Sequence, residues 1–297
     1  MEYPFYQADV FTDRPLGGNP LAVFTRPGAW DPALMQSLAR EMNLSETVFV
    51  FPSGEKEVDA GIRIFTPGKE LPFAGHPTLG TAFVLRETGD LPRDQSRIRL
   101  RLQVGVLDLR VEEGGRIFMR QPPPQFGEVW DSRQDLAECL GLDQRDIDPH
   151  LPCQVVSTGF PVLFVPLTCL ECAGKVSLQS ARLKEIFDRT GVDMIYVFTQ
   201  ETLDPLSTLH VRAFAPFIGI PEDPATGSAG GAMGAYWARY SGAGGKVPVR
   251  IQIEQGSEMG RPSTLFVNVE REGDRPSLVE VGGDSRLVIR GHLYLTD

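Results

Sequence analysis

The 297-residue sequence lacks the features that mark several large classes of protein. No apolar run reaches the ~18 residues that a membrane-spanning helix requires. The N-terminus has neither the basic segment nor the apolar core of a secretion signal. No basic stripe interleaved with aromatic residues indicates nucleic-acid binding, and the formal net charge of −10 disfavours contact with anionic membranes. We therefore expect a cytoplasmic protein that binds neither nucleic acid nor membrane.

Cysteine and histidine are scarce, and their spacing does not indicate a metal site. The four cysteines are Cys139, Cys153, Cys169 and Cys172. A single C-x-x-C, without a second pair, does not match a zinc ribbon, and we predict four reduced thiols. Three histidines show no metal-ligand spacing and are predicted to be structural or exposed: His150, His210 and His292. Nucleotide loops are also absent, since "SGAGGKV" near Lys246 has neither the spacing nor the hydroxyl of a P-loop.

Strand patterns dominate the chain. Apolar and polar residues alternate in many short runs, such as "TVFVFP" and "VRIQIEQG", which is typical of half-buried strands. Helical patterns are fewer: "DPALMQSLAREMN", "PTLGTAFVLRETG", "SRQDLAECLGL", "SLQSARLKEIFDRTG" and "TGSAGGAMGAYWARYSG". The first begins with Asp31 as N-cap and Pro32 in the first turn. The predicted fold class is α+β.

The two halves of the sequence resemble each other in order. "GNPLAVF", "SETVFVF", "RIFTP" and "HPTLGTA" match "GFPVLFV", "VDMIYVF", "RAFAP" and "DPATGSA" at offsets of 141 to 149 residues. Such ordered matches indicate a duplicated unit. The prolines of "RQPPPQ" interrupt any regular element and suggest the boundary. We predict an N-terminal lobe over 1–120, with 284–297 as a candidate to complete it, and a C-terminal lobe over 121–283.

Two glycine-rich turns, each leading into a helix, occupy equivalent places in the halves. If the lobes are related by a pseudo-two-fold axis, the helix starts at Pro77 and Thr226 can face each other. Their free N–H groups and helix dipoles would then hold a small anion, most simply a carboxylate. Gly75 and Gly227 lie at the turns, where we favour close approach to a ligand. Within the second helix, helix packing is favoured for Gly230, Gly231 and Gly234.

Polar side chains accompany these turns. His76 and Asp223 stand at corresponding positions, Ser228 follows Gly227, and Glu46 opens a strand after a helix end. A carboxylate, an imidazole and a second carboxylate around an anion site form a plausible proton-transfer set. Structural alternatives stay open for each: a solvated loop position for Glu46, a turn cap for Asp223, a backbone hydrogen bond for His76, and an ordinary first-turn position for Ser228.

Three segments together resemble the phenazine-biosynthesis PhzF-like family: "NLSETVFV", "RIFTPGKELPFAGHPTLGTAFVL" and "GIPEDPATGSAGGAMGAYW". That family shares its fold with diaminopimelate epimerase and proline racemase. The resemblance implies two similar lobes, each a β-barrel-like sheet around a central helix, with the active site between them. It also implies a homodimer, and an isomerase that needs no cofactor or metal.

The resemblance also assigns roles to individual residues. Glu46 corresponds to the glutamate that moves a proton within a small carboxylic acid, dihydro-hydroxyanthranilate in the phenazine pathway. His76 and Asp223 correspond to residues that contact the polar groups of the substrate. Ser228, with turn amides near Gly75 and Gly227, is expected to hold the carboxylate. We expect the base to work best with a pKa raised towards neutrality.

The racemase relatives use two cysteines, one from each lobe, as base and acid. Here Ala74 and Thr226 stand where a thiol is expected, and all four cysteines lie outside these motifs. A two-cysteine racemase is therefore disfavoured. The alternative from another class is a non-catalytic protein that binds a small carboxylate in the same fold, although an anion clamp alone gains nothing from a nearby glutamate.

Overall fold

A computed structural model describes residues 1–242, 248–273 and 275–295. Lys246, and the last two residues of the predicted 284–297 segment, lie outside the described residues. The helices are α1 (Pro32–Met42), α2 (Gly75–Thr88), α3 (Arg133–Leu140), α4 (Leu170–Gly174), α5 (Ser180–Thr190) and α6 (Gly227–Tyr240). Within the described part of the chain, no helix is both long and apolar enough to cross a membrane.

The strands of the first half and the last strand are β1 (Glu2–Val10), β2 (Asn19–Phe24), β3 (Glu46–Phe51), β4 (Ala60–Phe65), β5 (Glu70–Leu71), β6 (Arg97–Leu102), β7 (Gly105–Val111), β8 (Ile117–Gln121) and β18 (Ser285–Tyr294). The strands between them are β9 (Gln125–Val129), β10 (Gln154–Ser157), β11 (Pro161–Pro166), β12 (Ile195–Thr199), β13 (Leu209–Ala215), β14 (Ile220–Asp223), β15 (Val249–Gln255), β16 (Ser263–Glu272) and β17 (Arg275–Gly283). Single 3₁₀ turns occupy Gln144–Asp146, Pro216–Ile218 and Ser257–Met259.

The chain forms two compact units, Met1–Arg120 with Gly282–Asp297, and Gln121–Val281. In the first unit the strands pair in the order β18–β1–β2–β3–β4–β6–β7–β8. The β2–β3 and β4–β6 pairs are parallel and the others antiparallel, and β5 adds to β4. The C-terminal strand β18 therefore lies beside β1, the first strand of the chain.

The second unit repeats this pairing order. Its strands follow β9–β10–β11–β12–β13–β15–β16. Again the pairs before and after the central antiparallel pair, β11–β12 and β13–β15, are parallel, and the short β14 adds to β13. The repeated order of parallel and antiparallel pairs confirms the internal repeat that the sequence matches predict.

One helix of each unit packs against several strands and is buried on nearly all sides. In the first unit this is α2, against β1, β2, β3, β6 and β18; in the second it is α6, against β10, β11, β15 and β16. Small residues permit this approach: a Cβ on Gly80 would lie 2.6 Å from Leu21 and Val10, and one on Gly234 would lie 2.4 Å from Val267. Packing thus explains glycines inside these helices.

Three of the remaining helices, α1, α3 and α5, contribute to two further apolar clusters. Phe24, Met35, Leu38, Phe49 and Phe65 form one cluster beneath α1. A larger cluster joins α3 and α5 to the second unit's strands, and the two helices contribute Leu136, Leu140, Leu183, Ile186 and Phe187 to it. As predicted, Asp31 caps α1 by accepting from the Leu34 N–H at 2.8 Å.

The prediction of four reduced thiols is wrong for Cys169 and Cys172, which form a disulfide. The two residues share one turn: Cys169 is the N-cap of α4 and Cys172 lies in its first turn, with Cα atoms 5.2 Å apart. This five-residue helix was not predicted, because it is too short to show a helical period. Cys139 and Cys153 are free and buried, and burial raises the pKa of each thiol to about 12.

His210 is structural, one of the two alternatives predicted for it, and it links two carboxylates inside the second unit. Its ring is fully buried, with Nδ1 2.8 Å from Glu254 and Nε2 2.8 Å from Glu258. Burial opposes a charged ring, but hydrogen bonds with both glutamates outweigh it and raise the pKa of His210 to about 9. Burial acts to raise the pKa of both carboxyls, but the hydrogen bond and the charge of His210, together with backbone N–H donors, lower it. An imidazolium between two carboxylates results.

Replacing Gly80 by alanine tests the close packing of α2. We expect Gly80→Ala to lower the free energy of unfolding by about 1–3 kcal/mol, because the new methyl group overlaps Leu21 and Val10. A Cβ on Gly174 at the end of α4 meets nothing within 4 Å. Gly174→Ala is therefore the control, with a change of no more than about 1 kcal/mol. Urea unfolding measures both, and equal losses would contradict the packing explanation.

The His210 ion pairs predict a pH dependence of stability. A histidine whose pKa rises on folding contributes fully below its unfolded pKa, and the contribution is lost as pH rises through about 9. Between the unfolded pKa of about 6.5 and the folded pKa of about 9, we expect the wild-type protein to lose about 3 kcal/mol of unfolding free energy through deprotonation of His210. His210→Gln should be less stable at pH 6.5 and lack this loss, whereas His292→Gln should keep it. Urea unfolding at several pH values provides the measurement; parallel curves for wild type and His210→Gln would refute the assignment.

Candidate active site

Glu46 and His76 form a buried pair in the first unit. Glu46 is the first residue of β3, four residues after the end of α1, which is the helix-to-strand corner predicted from the sequence. His76 lies in the first turn of α2. Their side chains are 10% and 8% exposed, and Nε2 of His76 lies 3.2 Å from Oε2 of Glu46. A local change of chain direction thus brings a carboxylate to the start of the central helix.

The imidazole of His76 is neutral at physiological pH, because burial lowers its pKa to about 3. Its Nε2 makes no hydrogen bond with any described residue. Buried polar atoms are normally hydrogen-bonded, so an atom held next to a carboxylate without a bond indicates a place for a polar ligand group. A neutral ring can act as donor or acceptor, according to its tautomer.

The starts of the two central helices differ slightly from the prediction. α2 begins at Gly75, not Pro77, and α6 begins at Gly227 with Thr226 as its N-cap. Proline is tolerated in the first turn because the N–H it lacks would have no helical partner. The N-cap residue of neither helix binds the first amides through its side chain, in contrast to α1 and α3. These uncapped N–H groups, with the positive end of the helix dipole, suit an anion.

Asp223 belongs to a buried hydrogen-bond network in the second unit. It ends β14, is 9% exposed, and accepts a hydrogen bond from the hydroxyl of Thr226. Thr226 is a residue type that often caps helices, but here its hydroxyl is committed to the aspartate. Through this bond Asp223 contacts the turn that follows it, which is consistent with the turn-cap alternative.

Gln255, which sequence reasoning missed, holds this turn in place. It is fully buried at the end of β15. Its amide nitrogen donates to the backbone oxygen of Asp223 at 2.7 Å and to the Thr226 hydroxyl at 3.0 Å. Its amide oxygen accepts from the Thr226 N–H at 3.2 Å and from the Tyr196 hydroxyl at 3.3 Å. One side chain thus fixes the segment between Asp223 and the start of α6.

Gln121, also missed, supports the first turn of α6 from the other side. Its amide donates to the backbone oxygen of Gly227 at 2.9 Å and accepts from the hydroxyl of Thr158. The same amide occupies the space that a side chain at Gly231 would need, since a Cβ there would lie 1.9 Å from Oε1. Ser228 is partly exposed in this turn, and its side chain forms no hydrogen bond with a described residue.

The predicted site residues therefore fall into two sets. Gly75, His76 and Glu46 meet in the first unit, while Asp223, Gly227 and Ser228 meet in the second. Ala74 and Thr226 are the N-cap residues of α2 and α6. Among the described residues no group of three or more His, Cys, Asp or Glu side chains could hold a metal ion.

Comparisons with solved structures identify the fold. A probable proline racemase from Agrobacterium radiobacter superposes with a TM-score of 0.61 at 13% identity, covering 99% of this chain and 93% of that one, a likeness of fold alone. The Bacillus anthracis phenazine biosynthesis protein of the PhzF family superposes with a TM-score of 0.89 at 30% identity, covering 99% and 100%. The fold is thus the α+β fold of PhzF proteins and proline-racemase-like enzymes.

The particular family follows from the sequence comparison. The model of the PhzC-PhzF family, described as phenazine biosynthesis-like protein, matches residues 8–291. The trans-2,3-dihydro-3-hydroxyanthranilate isomerase of Pseudomonas aeruginosa is 36% identical over 294 residues, which are 97% of this chain and 98% of that protein. This chain belongs to the phenazine biosynthesis-like protein family, as the three sequence segments predict.

The Gln255 network predicts a positioning effect that can be graded. Gln255→Leu should leave the Thr226 N–H and the Asp223 carbonyl without their buried partner, at about 1–3 kcal/mol of unfolding free energy. Tyr196→Phe removes only the 3.3 Å bond to Gln255 and should lose about 0.5–1.5 kcal/mol. Urea unfolding ranks the two variants. A smaller loss for Gln255→Leu than for Tyr196→Phe would show that Gln255 does not hold the turn.

Proposed function

We propose that the protein is an isomerase that moves a proton within a small carboxylic acid without a cofactor. The observation that carries the proposal is the buried contact between the Glu46 carboxylate and the neutral imidazole of His76. The name of the Pseudomonas aeruginosa relative supports the reaction class. A compound of the trans-2,3-dihydro-3-hydroxyanthranilate type is the proposed substrate.

Glu46 is the proposed base. Its carboxylate takes a proton from one carbon of the substrate, and the electron pair left behind shifts along the conjugated system. The resulting carboxylic acid returns the proton to a second carbon, so the reaction balances without an oxidant or a second substrate. A carboxylate near a neutral ring, shielded from water, suits such a transfer. His76 orients the polar group of the substrate through the Nε2 atom that lacks a described hydrogen-bond partner.

The uncapped helix starts are the proposed binding groups for the substrate carboxylate. The amides at Gly75 and Gly227 would donate to its oxygens, and the hydroxyl of Ser228 would add a further donor. Asp223 would accept from a hydroxyl or amine of the substrate while Thr226 and Gln255 hold it. Homodimerisation is proposed from the family resemblance alone, and light scattering on the purified protein tests it. A cytoplasmic location is proposed from the sequence composition.

A Glu46→Gln variant separates an enzyme from a binding protein. In deuterated water, we expect the wild type to convert trans-2,3-dihydro-3-hydroxyanthranilate, with deuterium entering the product wherever the base exchanges its proton with solvent. Glu46→Gln should reduce kcat by about 10²–10⁴-fold, since general acid–base catalysis contributes that much, while the ligand still binds. NMR and absorbance follow both effects.

Glu41→Gln is the matched control, because Glu41 is an exposed carboxylate at the end of α1. It should leave kcat and binding unchanged. Turnover that survives in Glu46→Gln would exclude Glu46 as the base. Saturable binding with no turnover, even in the wild type, would favour a carboxylate-binding protein for this compound.

A further inference from the structure

A second candidate site lies in the second unit near the C-terminal end of α6. It is a cavity of about 640 Å³, lined by Pro124, Phe126, Arg239, Arg271, Arg275 and Pro276. Half of the described lining residues are arginines, contributed by α6, β16 and β17, and none of the described ones is acidic. The chain as a whole carries a net charge of −10, so this local accumulation of positive charge runs against the overall balance.

Arg239 is held by aromatic rings rather than by a carboxylate. Its guanidinium carbon lies 4.4 Å from the ring centre of Phe126 and 5.4 Å from that of Tyr240. The Tyr240 hydroxyl is anchored to Gln154 at 2.6 Å. Stacking occupies the face of a guanidinium and leaves the N–H groups at its edge available. Among the described residues Arg239 has no ion-pair partner.

Arg275, at the start of β17, likewise forms no ion pair with a described residue. Several arginines elsewhere in the chain do pair with carboxylates. Arg63 is 2.6 Å from Glu70, and Arg212 is 2.8 Å from Glu222. The cavity therefore holds Arg271 and two guanidinium groups, those of Arg239 and Arg275, that form no ion pair with a described carboxylate. Their N–H donors and positive charge are available to a ligand.

We propose that this cavity binds the phosphate group of a small phosphorylated molecule. Guanidinium groups match the oxygens of phosphate with paired hydrogen bonds, and several of them balance a dianion better than the single charge of a carboxylate. The apolar part of the ligand contacts Pro124, Phe126 and Pro276. A volume of 640 Å³ lies within the range of about 300–1,000 Å³ that small-molecule sites occupy.

This site differs from the proposed active site. Ser228 is in the first turn of α6 and Arg239 in its last, which at the rise of an α-helix separates their backbones by about 16 Å. The charges also have different sources. The N-terminal end of a helix attracts anions through its own dipole, whereas the C-terminal end repels them, so binding there depends on the arginine side chains.

The test uses phenyl phosphate, inorganic phosphate and benzoate as probes, in calorimetric titrations at constant ionic strength. We expect saturable binding of phenyl phosphate, weaker binding of inorganic phosphate for lack of the apolar contact, and the weakest binding for benzoate. Arg239→Ala and Arg275→Ala should each weaken phenyl phosphate binding about tenfold or more, as expected for the loss of a charged hydrogen bond.

Two controls make the result decisive. Arg145→Ala removes the same charge from a side chain that is 84% exposed elsewhere in the same unit, and it should not change binding. Glu46→Gln should not change it either, which separates this site from the active site. Circular dichroism checks that each variant is folded. No saturation up to about 10 mM, tighter binding of benzoate, or an equal loss in Arg145→Ala would overturn the proposal.

Discussion

The burial of one helix among the strands of each unit is the constraint on which the rest of the structure depends. A helix without a solvent-facing side must carry small residues wherever a strand approaches, because interiors are close-packed. Gly80 and Gly234 meet that requirement at Leu21 and Val267. The same packing fixes where each helix begins, and therefore where its unbonded amides lie.

The equivalent helix starts are supported in different ways. In the first unit, His76 lies within the helix and contacts a carboxylate from the neighbouring strand β3. In the second, Asp223 precedes the helix, and Thr226 and Gln255 bind it. The start of α2 therefore has a neutral imidazole beside a carboxylate, whereas the start of α6 has a carboxylate that is hydrogen-bonded to its neighbours. The two units thus share a repeated strand order but differ in the polar residues at their helix starts.

The sequence predicts the elements whose signals are local. The Asp31–Pro32 start of α1 and the position of Glu46 at the head of β3 follow from capping, periodicity and chain direction. The alternation of apolar residues also predicts the strands, and the ordered matches predict the repeat. The shared fold follows from the resemblance because the motifs sit at the helix starts, where packing and polar contacts both restrict the residue type.

Features that depend on strand register could not be predicted. His210 meets Glu254 because β13 and β15 pair in parallel with these two residues opposite each other, 44 positions apart. Gln255 contacts Asp223 because β14 and β15 both pair with β13. The residues next to Gln255 in the sequence do not indicate this contact. The disulfide between Cys169 and Cys172 depends on the short helix α4, which has too few residues to show a helical period in the sequence. The observed starts of α2 and α6 differ from the predicted ones by one or two residues. The first N–H groups of a helix have no helical partner, so the first turn accepts proline as well as glycine and the sequence does not determine its exact first residue.

The contact between Gln121 and Gly231 has a consequence for how this chain can change over time. The Gln121 amide fills the position where a side chain at residue 231 would stand, and it is bonded on both sides to Gly227 and Thr158. A larger residue at 231 is therefore compatible with the fold only after position 121 has become smaller. The residue at one position restricts which substitutions the other can accept. These two positions, 110 residues apart, are therefore expected to change together in evolution.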